Sequence, residues 1–183
     1  MRLRGIDEFL VVDLEATCWP ETAPPQRQET IEIAAVRYRP GAGIVGEHNT
    51  FVRPVDHPAL SAFCTELTGI AQEQVDAAPP FRPAFVGLKQ FAGDEPVLCS
   101  WSDFDRALLA SECQRHGIDY PFSIHIDLAK LFGRRTRRGY VPLHHAIETC
   151  ALEPQGRAHS ATDDARNLAR LLAWLIDREL RSL

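Results

Sequence analysis

Hydrophobic and polar positions split the chain into a strand-rich opening and a helix-rich remainder. FLVVDLEAT (Phe9–Thr17) begins with four consecutive apolar residues, which predicts a strand covered on both faces. TIEIAAVRYR (Thr30–Arg39) alternates and is β-branched enough for a second strand. Pro40-Gly41-Ala42-Gly43 reads as a turn into a third, IVGEHNTFVRP (Ile44–Pro54), and strands joined this closely pair antiparallel. The Pro-rich stretch from Pro20 to Pro25 reads as a loop.

Beyond Pro58 the pattern changes to helix and loop. A helix is expected over Phe81–Phe91, a short buried strand over Pro96–Trp101, and an amphipathic helix over Asp103–Gly117 that stops at its glycine. IHIDLAKLF (Ile124–Phe132) fits strand or helix equally. VPLHHAIETC (Val141–Cys150) reads as a short helix, and SATDDARNLARLLAWLIDREL (Ser160–Leu180) is the strongest helix signal in the chain. Strands first, then strands mixed with helices, give an α/β domain with a mixed sheet. No repeat or low-complexity linker interrupts it, and 183 residues suit a single domain, 1–183.

Composition narrows the setting. The N-terminal MRLRGIDEFL lacks the apolar region of a signal peptide. LARLLAWLI is broken by Arg170 and is too short to span a bilayer. The five cysteines are scattered and odd in number, which argues against a disulfide framework or a cysteine-ligated zinc. A soluble cytoplasmic protein with reduced thiols is the expectation. The formal charge of −5 offers no overall basic footprint, and acids gathered in a metal site would account for part of it.

The acids are where chemistry enters. Asp13 and Glu15 are two apart on a strand and so share a face. Buried together they would need cations to offset the cost; if the strand ends at Asp13, both are merely solvated. Ser160 and Asp163 have capping-box spacing, which makes Ser160 the N-cap of the last helix. His159 then immediately precedes the cap, and Asp164, on a stripe with Leu168, Leu171 and Leu175, faces inward beside it. Asp105 offers a further acid, although on local grounds Ser102 and Asp105 read slightly better as another capping box, with Asp103 a first-turn acid. Four carboxylates, Asp13, Glu15, Asp105 and Asp164, would form an all-oxygen site for hard divalent cations. Two such ions can activate a water and stabilise a leaving oxygen on phosphorus. Imidazole changes charge near neutral pH, and His159 is placed to take the proton from that water.

Asp-x-Glu, then Asp, then His-x₄-Asp is the order found in the DEDDh exonucleases, the superfamily of RNase T, oligoribonuclease and polymerase proofreading domains. DLEATC (Asp13–Cys18), LSAFCTELTGI (Leu60–Ile70) and HSATDDARNLARL (His159–Leu171) resemble the ERI-type branch, which includes the histone-mRNA 3′-end exonuclease and KapD-like proteins. The resemblance implies an RNase H-like fold, a mixed five-stranded sheet flanked by helices. It also implies Mg²⁺ or Mn²⁺ as a pair of ions on Asp13, Glu15, Asp105 and Asp164, with His159 as general base. Asp105, not Asp103, matches the family's second acid. The implied reaction is 3′–5′ hydrolysis of single-stranded RNA or DNA ends, releasing nucleoside 5′-monophosphates. By the same resemblance Ala16 and Thr17 approach the terminal nucleotide, Phe63 and Phe104 stack on its base, and Leu67 and Thr68 shape the pocket. The alternatives are a regulatory binding protein on the same fold and a polymerase-associated proofreading subunit. GRRTRRGY brings Arg134, Arg135, Arg137 and Arg138 together, either as a phosphate-contacting loop or as a solvated basic one.

Overall fold

The computed structural model describes residue 3 and residues 5–24, 26–94 and 96–181. Among the expected elements, only Pro25 of the first loop lies outside them. The sheet has five strands in the order β3-β2-β1-β4-β5. These are β1 (Phe9–Ala16), β2 (Thr30–Arg39), β3 (Gly43–Phe51), β4 (Val97–Ser100) and β5 (Ile124–Asp127). β1, β2 and β3 form an antiparallel meander, while β4 and β5 run parallel to β1. The mixed sheet expected from the sequence is therefore present, with β1 at its centre.

Seven helices occur among the described residues: α1 (Ala62–Thr68), α2 (Gln72–Asp76), α3 (Phe81–Ala92), α4 (Phe104–Arg115), α5 (Leu128–Thr136), α6 (Leu143–Thr149) and α7 (Ala161–Arg181). IHIDLAKLF, open between strand and helix, is both. β5 ends at Asp127, whose side chain accepts from the Lys130 N–H at 2.8 Å and caps α5. Arg134 and Arg135, expected between elements, instead occupy the last turn of α5, where cations favour the helix dipole. None of the helices is long and apolar enough to cross a membrane.

The strand period of two sorts β1 into two cores. Phe9 and Val11 face a layer containing Phe132 of α5, Ile147 of α6 and Leu168, Leu171, Leu172 and Leu175 of α7. Leu10, Val12, Leu14 and Ala16 face the opposite layer, built from Phe81, Phe85 and Leu88 of α3 and Leu108 and Leu109 of α4. Continuing that alternation, Asp13 and Glu15 point to the α7 side. The central strand thus ends in two acids on the face that α7 covers.

A buried ion network ties α4 to the segment after β3. Glu29, 1% exposed, accepts from the backbone N–H groups of Val55 and His57 at 2.8 and 2.7 Å, and Arg115 reaches it at 2.8 Å. Arg115 also pairs with Asp56 at 2.7 Å and Glu112 at 3.4 Å. These bonds hold Glu29 below the usual carboxylate range despite its burial.

Candidate active site

The end of β1 opens into a cavity of about 470 Å³, whose lining includes Asp13, Glu15, Asp105, His159 and Asp164. Oxygens of Asp13, Glu15 and Asp164 lie within 4.8 Å of one another. Asp13 and Glu15 come from the same face of β1, and Asp164 from the first turn of α7 laid across it. Asp105 approaches from the start of α4, behind the strand. Its Oδ1 accepts the Leu14 N–H at 3.1 Å, so it stands in the cavity wall beside the three clustered acids.

Burial and mutual repulsion raise the proton affinity of all four. Burial, then the neighbouring acids led by Asp105, pushes Asp13 well above the usual carboxylate range. Burial, then Glu32, pushes Glu15 up to about 8, with Arg157 opposing. Burial lifts Asp105 to about 7 against the Leu14 N–H and the Ser100 hydroxyl, and it raises Asp164 against the His159 N–H. Among the described residues no lysine or arginine forms an ion pair with Asp13, Glu15 or Asp164. Crowded acids offering only carboxylate oxygens fit a hard divalent cation, which would relieve the repulsion directly. Asp13, Glu15 and Asp164 would hold it, with Asp105 alongside.

His159 is exposed at the cavity rim in a left-handed backbone conformation, φ 59°. Its N–H donates to Asp164 Oδ2 at 2.9 Å, and its carbonyl accepts from Arg157 at 3.3 Å. The proximity read from the sequence is present, but its origin differs from the expected capping box. Ser160 does precede the helix, and its carbonyl accepts the Asp164 N–H at 2.9 Å. Asp163, however, accepts from the Arg157 N–H at 2.9 Å, and burial raises the nearby Glu32 against the Asn49 amide and the Ala161 N–H. Glu32 lies opposite Glu15 across the β1–β2 pair, and β2 packs against α7. The Ser102–Asp105 capping box is likewise absent. Ser102 has φ 77°, Asp103 precedes the helix, and Asp105 is occupied by Leu14.

Of the residues expected to hold the nucleotide, Ala16, Leu67 and Phe104 line the cavity. Phe63 is exposed one turn before Leu67 on α1 but lies outside the lining. Thr17 and Thr68 are buried and already engaged. The Thr17 N–H donates to the Glu29 carbonyl at 2.8 Å and its hydroxyl accepts the Glu29 N–H at 2.9 Å. The Thr68 hydroxyl donates to the Cys64 carbonyl at 2.8 Å and accepts from Ile70 at 3.1 Å. Both threonines shape the walls from behind. Sequence reading passed over Glu32, Arg157 and Tyr140. Glu32 carried a signal, being the only acid of β2 and flanked by Ile31 and Ile33; Arg157 and Tyr140 carried none.

A family model for exonucleases of the RNase T type matches residues 10–172, which takes in every acid of the cavity and His159. The chain belongs to this exonuclease family. It is 36% identical to human ERI1 exoribonuclease 2 over 94% of its own length, which is 29% of that relative. It is 34% identical to the Drosophila melanogaster 3′-5′ exonuclease Snipper, covering 91% of this chain and 68% of Snipper. The chain thus spans under a third of the first relative and about two thirds of the second. Among solved structures, the nuclease domain of 3′hExo, a DEDDh family member bound to rAMP, superimposes with a TM-score of 0.85 at 27% identity, covering 98% of this chain and 94% of that one. Exonuclease I, at 18% identity and a TM-score of 0.76, shares the fold. The fold of the exonuclease chain is accordingly RNase H-like.

Proposed function

We propose that the protein is a metal-dependent 3′–5′ exonuclease that shortens single-stranded RNA and releases nucleoside 5′-monophosphates. The observation that carries this reading is the meeting of Asp13, Glu15 and Asp164 within 4.8 Å, in a nucleotide-sized cavity that His159 borders. The names of the relatives, exoribonucleases among them, and the rAMP bound to the 3′hExo nuclease domain support RNA as the substrate.

Asp13, Glu15 and Asp164, with Asp105 alongside, would hold Mg²⁺ or Mn²⁺ as a pair, which would supply Lewis acidity for the phosphoryl group and the attacking water. The chain's own groups do the rest. His159, at the rim with its backbone pinned on both sides, takes the proton of the attacking water. Phe104 and Leu67 contact the terminal nucleoside, Phe63 extends the apolar wall of α1, and Ala16 floors the pocket.

Matched RNA and DNA oligonucleotides with a 5′ label, incubated with Mg²⁺, Mn²⁺ or EDTA, test the assignment. Stepwise shortening from the 3′ end, faster on RNA, abolished by EDTA and by Asp13→Ala, is the expected result. Intact oligonucleotide under both metals removes the exonuclease reading; equal rates on DNA remove the RNA preference alone.

A further inference from the structure

Tyr140 lines the same cavity, and at 69% exposure it is the most exposed large ring among the described residues. Its position is set by the backbone beneath it. Arg137 ends α5 in a left-handed conformation at φ 58°, and Gly139 follows at φ 71°. The turn folds back so tightly that a Cβ on Gly133 would collide with the Gly139 carbonyl. α5 is itself fastened to α7, with Arg135 donating to the Leu175 carbonyl at 2.9 Å and pairing with Glu179 at 2.6 Å. A fixed turn on a fixed helix therefore delivers Tyr140 to the cavity mouth.

The charge on this segment complements what leaves the cavity. The floor is a cluster of carboxylates, which repels every phosphate not offset by cations. Arg137 and Arg138, separated from Tyr140 by Gly139, are exposed and form no ion pair among the described residues. Arg135 is the one member of the basic run shown committed to α7, and Arg137 and Arg138 flank the cavity mouth beyond it.

Building on the exonuclease reading, we infer that Tyr140, Arg137 and Arg138 form a subsite for the penultimate nucleotide of the substrate strand. The phenol ring stacks on the penultimate base, and the guanidinium groups hold the phosphates on its 5′ side. Every base has a π-face, so the subsite tolerates any sequence. It also demands a base free of its neighbours, which favours single-stranded ends over duplex ones.

The test compares two substrates, a 5′-labelled oligoribonucleotide and the p-nitrophenyl ester of a nucleoside 5′-monophosphate, which has no penultimate nucleotide. Tyr140→Ala is expected to raise KM for the oligonucleotide at least ~5-fold, the lower range for losing one stacked base. The ratio of kcat/KM on oligonucleotide to that on ester falls by the same factor, and Tyr140→Phe restores it. Arg137→Ala with Arg138→Ala is expected to flatten the dependence of log KM on log salt by roughly 0.7 per arginine. Circular dichroism and melting of each variant establish that it is folded. An unchanged oligonucleotide KM in Tyr140→Ala, or equal losses on both substrates, overturns the subsite while leaving the exonuclease in place. Wild-type protein that cleaves neither substrate ends the exonuclease reading, and the subsite with it.

Discussion

The backbone N–H of His159 donates to Oδ2 of Asp164 at 2.9 Å, so the imidazole and one clustered carboxylate share a single clamp at the start of α7. The clamp offsets the left-handed backbone of His159, a conformation that costs a non-glycine residue about 1 kcal/mol. Asp164→Asn keeps an acceptor there and removes the charge; Asp164→Ala removes both. Exonuclease turnover is expected to collapse in each. In EDTA, urea unfolding is expected to place Asp164→Ala about 1 kcal/mol below Asp164→Asn. Equal stabilities would mean that the clamp contributes nothing.

His159→Ala is expected to slow turnover by roughly 10²–10⁴-fold, the range for losing a general base. Divalent cation binding, followed by calorimetry, is expected to persist, because the imidazole is absent from the carboxylate cluster. Lost binding would make the histidine a ligand. His159→Gly relieves the strained backbone and is expected to melt above His159→Ala.

Glu15 links the site to pH. Its carboxyl is raised to about 8, far above its unfolded value, so the folded chain holds a proton that the unfolded chain has released between about pH 4.5 and 8. Stability contributed by that proton is present at low pH and is lost as pH rises through about 8. In EDTA, Glu15→Gln is therefore expected to gain melting temperature relative to wild type as pH goes from 5 to 8. Mg²⁺ opposes the same repulsion, so its stabilising effect on the wild type grows over that range. A Glu15→Gln difference that is flat with pH would contradict the raised carboxyl.

Away from the cavity, Arg115 is the shared partner of Glu29, Asp56 and Glu112. Arg115→Leu leaves Glu29 and Glu112 buried without it, and breaking a buried pair from one side costs about 3 kcal/mol. The loss is expected in the urea midpoint. A variant within 1 kcal/mol of wild type would show that water replaces the guanidinium at low cost.

Periodicity was sufficient wherever a single element decided the outcome. β1 is buried on both faces and reads as such, β2 reads as an alternating strand but is buried on both faces, and the spacing of Asp13 and Glu15 put both on one side of the sheet. α1 and α2, with 7 and 5 residues, were not resolved individually, because helices this short depend on packing more than on their own sequence. The capping boxes failed for a related reason. Asp105 bonds Leu14, 91 positions away, and Asp163 bonds the N–H of Arg157 ahead of the helix. Local spacing identifies which groups can bond, and a distant strand can outcompete the local partner. The Thr17 hydroxyl accepts the Glu29 N–H and the Thr68 hydroxyl donates to the Cys64 carbonyl, pairings that local sequence does not reveal.

The sheet order puts β1 between β2 and β4, the most protected place in the molecule, while α1, the turn before Tyr140 and the segment ending at His159 are all peripheral. Floor and walls therefore belong to different tiers of opening. Amides of Asp13 and Glu15 should exchange with solvent only when the whole domain unfolds, whereas the walls can breathe locally. A shortened strand can thus slip forward and a mononucleotide can depart while the carboxylates keep their spacing from one cut to the next.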